Sequence, residues 1–186
     1  MESDWEFEVG GDAPVIDARW AGFVDLQREP GAAWKLAEVR ELPALAETLE
    51  RLNGAGSPVW TSKCDFYPAL QAEEFDADEL DAEVGSCADA VGCYIDILAK
   101  DVGAWSQPSL AEAACRQVCG TLGRVALRCC RVDLVVRRVV DTEDSAGLGI
   151  TAYVTACGVE ASQARDTLAF ALAAFADALS SNSTLQ

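Results

Sequence analysis

Short stretches in which apolar and polar residues alternate along the chain predict half-buried β-strands. The clearest are Val132–Val140 and Leu148–Cys157, and Thr142–Gly147 between them is typical of the turn of a β-hairpin. Weaker patterns predict three further strands: Trp5–Val9, Val59–Phe66 and Val91–Leu98. In the irregular region near the start, two segments could add a short strand: Val15–Asp17 and Phe23–Leu26.

Apolar residues recur at helical spacing in three other segments. The first of these predicted helices covers Leu42–Leu52. Ser109 with Glu112 three residues later forms a capping box, which predicts a second helix that runs to about Cys129. The third helix covers Ala161–Leu179.

The order of these elements is β–α–β–β–α–β–β–α, with an irregular insert near the start. Strands and helices that mix without strict alternation favour the α+β class. We therefore expect one α+β domain over residues 1–186, mainly an antiparallel sheet with helices packed on one face. Residues 1–4 and 180–186 are expected to be flexible.

Side chains alternate across a strand, so each predicted strand has an inner and an outer face. The hairpin has an apolar inner face: Val132, Leu134, Val136, Ile150, Ala152, Val154 and Ala156. In the strand Val59–Phe66, four residues are expected to point inward: Trp60, Ser62, Cys64 and Phe66. The neighbouring positions Thr61, Lys63, Asp65 and Tyr67 are then expected to point outward.

The outer face of this sheet is a mixed-charge surface that carries tyrosines. Glu6 and Glu8 from the first strand could join it. Such a face can be simply solvated, or it can bind a ligand, a peptide or a second subunit. Its candidate ligand-binding residues are Lys63, Asp65, Tyr67, Arg131, Arg137 and Tyr153.

Composition narrows the chemistry that this surface could perform. The chain of 186 residues contains no histidine. That absence excludes Ser-His-Asp and Cys-His catalysis, zinc held by histidine, and an imidazole proton shuttle. Acid–base chemistry would have to come from carboxylates, lysine or tyrosine with shifted pKa values.

Charge is unevenly distributed along the chain. The net charge of −17 argues against a nucleic-acid partner, because phosphate binding requires clustered lysine and arginine. Residues 1–93 carry a net −15 and residues 94–186 only −2. In the second half, the segment 116–138 has Asp133 as its only acid and contains six arginines: Arg116, Arg124, Arg128, Arg131, Arg137 and Arg138. We interpret them as ion-pair partners of the acidic half, the alternative being an anion site around residues 128–138.

The eight cysteines lie mostly among small apolar residues, and nothing indicates export. They are therefore expected to be reduced and buried, although a bridge between Cys87 and Cys93 is conceivable. No Cys-x-x-Cys occurs, so neither a metal site nor another cofactor is expected. Cys64 beside Lys63 could be an activated thiol, but strand alternation places their side chains on opposite faces.

The segment Glu73–Glu83 contains seven acids and no base. Its spacing does not match an EF-hand loop, since Leu80 and Asp81 occupy positions that require an acid and a glycine. We expect instead that Asp76 caps a short helix with Leu80 and Val84 facing inward. The segment would then be a solvated face or a docking surface for a basic partner.

Nothing in the sequence suggests a membrane. The first residues are acidic where a secretion signal is basic, and the longest apolar run, Leu168–Ala176, is about half of a membrane span. We expect a soluble, cytoplasmic protein. The same run is apolar on all sides, so the helix Ala161–Leu179 is expected to pack against another helix or against a second protomer in a homodimer.

No motif in the sequence identifies a family. The interpretation that fits best is a non-enzymatic binding or protein-interaction domain, whose partner is a protein or a small molecule. The alternative is a small histidine-free enzyme that uses Lys63, Asp65, Arg137 and Tyr153. A third hypothesis is a thiol redox or metal protein. A concave pocket at which the four polar side chains converge would favour the enzyme over a merely solvated face.

Overall fold

The computed structural model describes residues 1–71, 74–83, 85–101, 103–141 and 147–181. These residues form six strands: β1 (Glu2–Glu8), β2 (Val15–Asp17), β3 (Val59–Tyr67), β4 (Asp89–Ala99), β5 (Cys130–Val140) and β6 (Gly147–Gly158). They also form three α-helices: α1 (Pro43–Asn53), α2 (Pro108–Leu122) and α3 (Ala161–Ser180). Two short 3₁₀ helices, Pro30–Lys35 and Glu38–Arg40, lie within the irregular insert.

All six strands belong to one open sheet in the order β1-β5-β6-β4-β3, with β2 also paired to β5. The β3–β4, β4–β6 and β5–β6 pairs are antiparallel, whereas β1 and β2 run parallel to β5. The predicted α+β fold with a mainly antiparallel sheet is therefore confirmed. The parallel edge is the part of the sheet that alternation could not predict, because it depends on which distant strands meet.

One large core joins the helices to the inner face of the sheet. The hairpin has the predicted inner face, and in it Val132 lies opposite Val154 and Leu134 opposite Ala152. From α3, Leu168, Leu172 and Phe175 are fully buried in this core. The helices thus cover the inner face and leave the outer face of the sheet for other contacts.

Several element boundaries differ from those predicted. Helix α2 begins at Pro108, whose fixed φ suits the first helical position, so Ser109 is not the N-cap. The helix ends at Leu122 instead of near Cys129, because Gly123 follows and glycine disfavours helix. Phe23–Leu26 is not a strand in the described structure.

At the N-terminus, residues 2–4 were expected to be flexible, but they belong to β1 and pair with Arg131–Asp133 of β5. Residues 180 and 181 are described, and Ser180 is the last residue of α3. The expected flexibility of 182–186 and the hairpin turn at 142–146 lie outside the described residues.

The acidic segment forms a turn where a short helix was predicted. Asp76 Oδ1 accepts a hydrogen bond from the Asp78 backbone N–H at 2.9 Å, and Leu80 is buried as expected. Asp81 has a φ of +53°, a left-handed conformation that cannot continue a right-handed helix. Glu73 and Val84 lie outside the described residues.

Candidate functional site

A β-bulge in β3 changes which side chains reach the outer face. Thr61 pairs with Ile97 and Cys64 with Ile95, so two residues of β3, Ser62 and Lys63, stand opposite one residue of β4. Beyond the bulge, the outward positions of Lys63, Asp65 and Tyr67 agree with the sequence prediction.

Before the bulge, the predicted alternation is wrong. Trp60, expected to point inward, packs on the outer face in a small apolar cluster: Ile16, Ala18, Leu98 and Val139. Thr61 points inward and is buried, where its hydroxyl accepts a hydrogen bond from the Asn53 side chain at 2.7 Å. One extra residue in a strand reverses the face of every side chain on one side of it.

The sheet curls toward its outer face at this end. Ser62 Oγ lies 2.7 Å from the backbone oxygen of Asp17 and 3.0 Å from that of Ala18, and these two acceptors share its one hydroxyl proton. Asp17 pairs with Val140 of β5, so it belongs to the opposite edge of the sheet from Ser62. In a flat sheet these edges would stand roughly 19 Å apart, four strand spacings. The apolar cluster around Trp60 fills the space inside the curl.

Gly149 on β6 permits this curl. A Cβ atom added at Gly149 would lie 2.8 Å from Ile16 Cδ1 and 2.9 Å from Val139 Cγ2. It would also lie 3.0 Å from the backbone oxygen of Ile97. Glycine therefore leaves the room in which Ile16 lies directly on the sheet.

Beside the curl, the outer face holds a pocket of about 430 Å³, which we call the outer-face pocket. It is lined by three of the predicted candidate residues: Lys63, Arg137 and Tyr153. Its other lining residues are Val15, Asp17, Trp20, Tyr94 and Asp96. The two edges of the sheet meet across the outer face at this end, so the pocket combines residues 15–20 with strands β3, β4, β5 and β6.

Arg137 is the centre of a hydrogen-bond network at the base of the pocket. Its Nε and Nη2 atoms donate to Glu8 Oε2 at 2.9 and 2.7 Å. Its Nη1 atom donates to Thr151 Oγ1 at 3.1 Å and to the Tyr153 hydroxyl at 3.0 Å. Every nitrogen of the guanidinium is thus engaged. Because the Tyr153 oxygen accepts from Arg137, its own proton remains available to a ligand.

Asp96 is a buried acid in the pocket wall, only 8% exposed. Its Oδ1 atom accepts a hydrogen bond from Thr151 Oγ1 at 2.6 Å. Among the described residues, no lysine or arginine nitrogen lies within 4.0 Å of this carboxylate. Burial raises the pKa of Asp96, an effect that the Thr151 hydrogen bond and the charges of Arg137 and Lys63 reduce.

Lys63 lies over two aromatic rings of the pocket. Its Nζ atom is 5.9 Å from the ring centroid of Trp20 and 5.9 Å from that of Tyr94. Within the described chain, its ammonium group has no carboxylate within 4.0 Å. Lys63 is exposed, so its ammonium group contacts both solvent and the π faces of these rings.

Three tyrosines form a row across β3, β4 and β6. The ring centroids of Tyr94 and Tyr153 are 6.0 Å apart, and those of Tyr67 and Tyr94 are 6.2 Å apart. Burial raises the pKa of Tyr94 to about 12, with smaller contributions from Asp96 and Asp65. The phenol of Tyr94 therefore stays neutral near neutral pH and acts as an aromatic wall.

Two predicted candidates, Asp65 and Tyr67, flank the pocket without lining it. Asp65 pairs with Tyr94 across the strands, but its Oδ1 atom accepts from the Phe66 backbone N–H at 2.8 Å. Tyr67 ends β3 at the end of the tyrosine row. Neither belongs to the group of charges at the base of the pocket.

The predicted candidate Arg131 lies elsewhere on the outer face. It precedes Arg137 by six residues of β5, roughly 20 Å along a strand. Arg131 pairs with Asp133 at 2.7 Å and lies near Asp4 and Glu79, at 3.8 and 3.7 Å. The structure therefore assigns Arg131 to an ion-pair cluster outside the pocket.

The interpretation that arginines of the second half pair with the acidic half is confirmed for three of them. Arg128 bonds both Asp81 and Glu83 at 2.9 Å. Arg137 bonds Glu8, and Arg131 lies near Asp4 and Glu79. The region around residues 128–138 consequently has most of its positive charge neutralised within the molecule.

Sequence reasoning missed five residues of the site: Val15, Asp17, Trp20, Tyr94 and Asp96. Cys93, Ile95 and Ile97 alternate with Tyr94 and Asp96 along β4, and this alternation of apolar and polar residues is a signal that the latter two point outward. Trp20 follows β2 in an irregular segment, where no periodic pattern could show that it returns to the sheet.

The prediction that all cysteines are reduced is wrong, because a disulfide joins Cys87 to Cys157. Ala90 of β4 pairs with Cys157 of β6, which brings Cys87, just before β4, alongside with a Cα–Cα distance of 5.2 Å. A separation of 70 residues in sequence concealed this pair. The conceivable Cys87–Cys93 bridge is not formed, and Cys93 is free and buried.

All eight cysteines lie in the described ranges, and the other six are free: Cys64, Cys93, Cys115, Cys119, Cys129 and Cys130. Burial raises the pKa of Cys64 to about 12, with smaller contributions from nearby acids. Cys64 is thus a poor nucleophile near neutral pH, since the thiolate is the reactive form.

Neither a metal-binding cluster nor a membrane-spanning helix is present among the described residues. No group of three or more cysteine, aspartate or glutamate side chains there is arranged to hold a metal ion. No helix of that part of the chain is long and apolar enough to cross a membrane.

Comparison with known proteins found no match: no family model, no curated protein and no solved structure corresponds to this chain.

Proposed function

We propose that this protein is a non-enzymatic binding protein that takes a small polar ligand into the outer-face pocket. The observation that carries the proposal is the convergence of Lys63, Asp96, Arg137 and Tyr153 around one pocket of about 430 Å³. Its volume falls in the range of small-molecule sites, roughly 300–1,000 Å³. A merely solvated sheet face would not require its two edges to meet.

The walls and the base of the pocket have different roles in this proposal. Trp20, Tyr94 and Tyr153 supply aromatic surface, which gives binding energy through burial and stacking. Asp96 and the Tyr153 hydroxyl supply an acceptor and a donor that orient the ligand. The Arg137–Glu8 pair holds Tyr153 in position, and its direct hydrogen bonds leave little for a ligand to use.

A screen of small aromatic and polar fragments by ligand-observed NMR tests the proposal. We expect fragments that bind the wild-type protein to lose binding in the variants Trp20→Ala and Tyr94→Ala. Phe170→Ala is the control, because Phe170 is 67% exposed on α3, which packs against the opposite face of the sheet. Fragments that bind all four proteins equally would contradict the assignment of function to this pocket.

A second candidate function is a small histidine-free enzyme. One observation favours it: burial raises the pKa of Asp96, which makes this carboxyl a better proton acceptor and donor near neutral pH. Asp96 would take the role that the sequence assigned to Asp65. Repeated NMR spectra of the bound fragments distinguish the two functions, because an enzyme converts a substrate into new signals and a binding protein releases it unchanged.

A homodimer through Ala161–Leu179 also stays a proposal. Phe170 projects from α3 with 67% of its surface exposed, and the exposed Ala173 follows on the same side of the helix. We expect light scattering after size-exclusion chromatography to show a dimer that the substitution Phe170→Glu converts to a monomer. A monomeric wild-type protein would overturn it.

Location in the cytoplasm, and the absence of a nucleic-acid partner, are proposals based on the sequence. The Cys87–Cys157 disulfide counts against the first, because cytosolic thiols are usually kept reduced. The net charge of −17 supports the second.

A further inference from the structure

We infer that the ligand of the outer-face pocket is an organic ammonium ion, held over the rings of Trp20, Tyr94 and Tyr153 against the carboxylate of Asp96. The inference rests on the proposed function of this pocket as a binding site, and it adds the chemical class of the ligand.

The carboxylate of Asp96 has no cationic partner among the described residues. Buried carboxylates are normally paired with a cation, yet Asp96 has none within 4.0 Å among the described residues. Its Oδ1 atom is occupied by Thr151, while Oδ2 has no hydrogen bond from the described part of the chain. Because Asp96 lines the pocket, Oδ2 is the atom that a ligand ammonium group would meet.

The aromatic rings of Trp20, Tyr94 and Tyr153 already have cationic side chains of the protein near their faces. Lys63 lies over Trp20 and Tyr94, and the Arg137 guanidinium lies 5.6 Å from the ring centroid of Tyr153. Aromatic rings grouped around an acid are the usual means of recognising organic ammonium ions. Lys63 is exposed and has no carboxylate partner within 4.0 Å in the described structure. Its flexible ammonium thus stands where a ligand cation would be held, and it competes with that ligand.

The net charge of the pocket favours a cationic ligand over an anionic one. Arg137 and Glu8 neutralise one another through two hydrogen bonds. Asp17 and Asp96 then face the single charge of Lys63, which leaves the pocket with one net negative charge. The molecule as a whole, at −17, also raises the local concentration of cations. An anionic ligand would have Lys63 as its one available cation and would approach two carboxylates.

Three probes of the same shape and different charge test the inference: phenethylammonium, 2-phenylethanol and phenylacetate. Dissociation constants are measured by NMR titration of the labelled wild-type protein. We expect phenethylammonium to bind about tenfold more tightly than 2-phenylethanol, a typical gain for a charge-assisted hydrogen bond. Phenylacetate is expected to bind most weakly.

Two variants with opposite expected effects locate the charges. Asp96→Asn should remove the preference for phenethylammonium over 2-phenylethanol, because the ligand loses its counter-charge. Lys63→Met should tighten phenethylammonium binding by about threefold or more, because it removes a competing cation. A change of about threefold is typical of the interaction between exposed charges. Asp4→Asn is the matched control: it makes the same change on the outer face, at the cluster around Arg131, and should leave all three constants unchanged.

Each outcome bears on the inference. If 2-phenylethanol or phenylacetate binds the pocket more tightly than phenethylammonium, the inferred ligand class is wrong while the proposed binding function stands. If Lys63→Met weakens phenethylammonium binding, Lys63 is no competitor and the inference is overturned, even if Asp96→Asn fails to fold. If none of the probes shifts signals of the pocket residues at millimolar concentration, both the inference and the proposed function fail.

Discussion

Asp96 has the properties of a residue whose charge lowers the stability of the fold. It is nearly buried, and within the described part of the chain Thr151 provides its one hydrogen bond. A carboxylate in such a position prefers to be protonated, and burial accordingly raises its pKa. Folding must therefore take place despite the desolvation of this charge.

Substitution of Asp96 is expected to reveal that penalty through its pH dependence. Because the pKa of Asp96 is raised above its usual 3.8 in the folded protein, ionisation lowers the free energy of unfolding as pH rises through this window. Asp96→Asn carries no charge and can still accept the Thr151 hydrogen bond. Urea denaturation should show the variant at least as stable as wild type near neutral pH.

The difference between the two proteins should disappear below about pH 3, where the wild-type carboxyl is protonated in both states. A variant that is clearly less stable than wild type near neutral pH would show that the carboxylate supports the fold.

Arg137 has the opposite role at the residue scale, because it supports both the fold and the pocket. The substitution Arg137→Met should lower the free energy of unfolding by about 2 kcal/mol, since Glu8 loses a half-buried partner. Arg138→Met is the matched control: Arg138 is the next residue of β5 and is exposed, so its effect should stay within about 0.5 kcal/mol. Equal effects in urea denaturation would contradict the network.

At the scale of single elements, the site depends on irregular features of regular strands. The bulge in β3 turns Trp60 outward and places Ser62 where its hydroxyl can bond residues 17 and 18. The segment after β2 then carries Trp20 to the pocket. Helices α1 to α3 contribute by covering the inner face, which leaves the outer face available.

Within β6, Gly149 is a position at which any side chain would collide with its neighbours. Gly149→Ala should lower the free energy of unfolding by about 1–3 kcal/mol, because its Cβ would overlap Ile16 and Val139 and meet the Ile97 backbone oxygen. Gly147→Ala, on the same face of β6, would place a Cβ with no atom of the described residues within 4 Å, so it should change stability little. Thermal denaturation of both variants measures the difference. Similar values would mean that Ile16 does not press on the sheet.

At the scale of the whole molecule, distant parts of the sequence are joined by charge and by one covalent bond. Acids of the first half neutralise arginines of the second half in at least three places. The Cys87–Cys157 disulfide joins the start of β4 to the end of β6. Both features connect segments that lie far apart along the chain and adjacent in the sheet.

Reduction of the disulfide is expected to destabilise the protein by up to about 4 kcal/mol, the chain-entropy value for a loop of 70 residues. Urea denaturation with and without dithiothreitol measures this effect. Thiol titration of the denatured, unreduced protein should detect six thiols, and eight after reduction. Eight thiols before reduction would show that the bond is absent.

Much of the fold could be predicted because its signals are local. The inner face of the hairpin, from Val132 to Ala156, follows from alternation alone. Three of the eight residues that line the outer-face pocket were found in the same way, namely Lys63, Arg137 and Tyr153. Asp65, Tyr67 and Arg131 also point outward but do not line the pocket. Alternation predicts on which face of the sheet a side chain lies, but not which outward side chains come close to one another.

The amino-acid sequence is sufficient for the fold class, the course of most strands and the exclusion of histidine chemistry, since these depend on residue type and short-range spacing. The pocket depends on three contacts between distant segments: the bonds from Ser62 to residues 17 and 18, the approach of Ile16 to Gly149, and the pairing of Arg137 with Glu8. The disulfide belongs to the same group. Alternation is a property of one strand at a time, so it cannot predict contacts between strands that only folding brings together. The curl of the sheet is such a contact, and it forms the candidate pocket on the polar outer face.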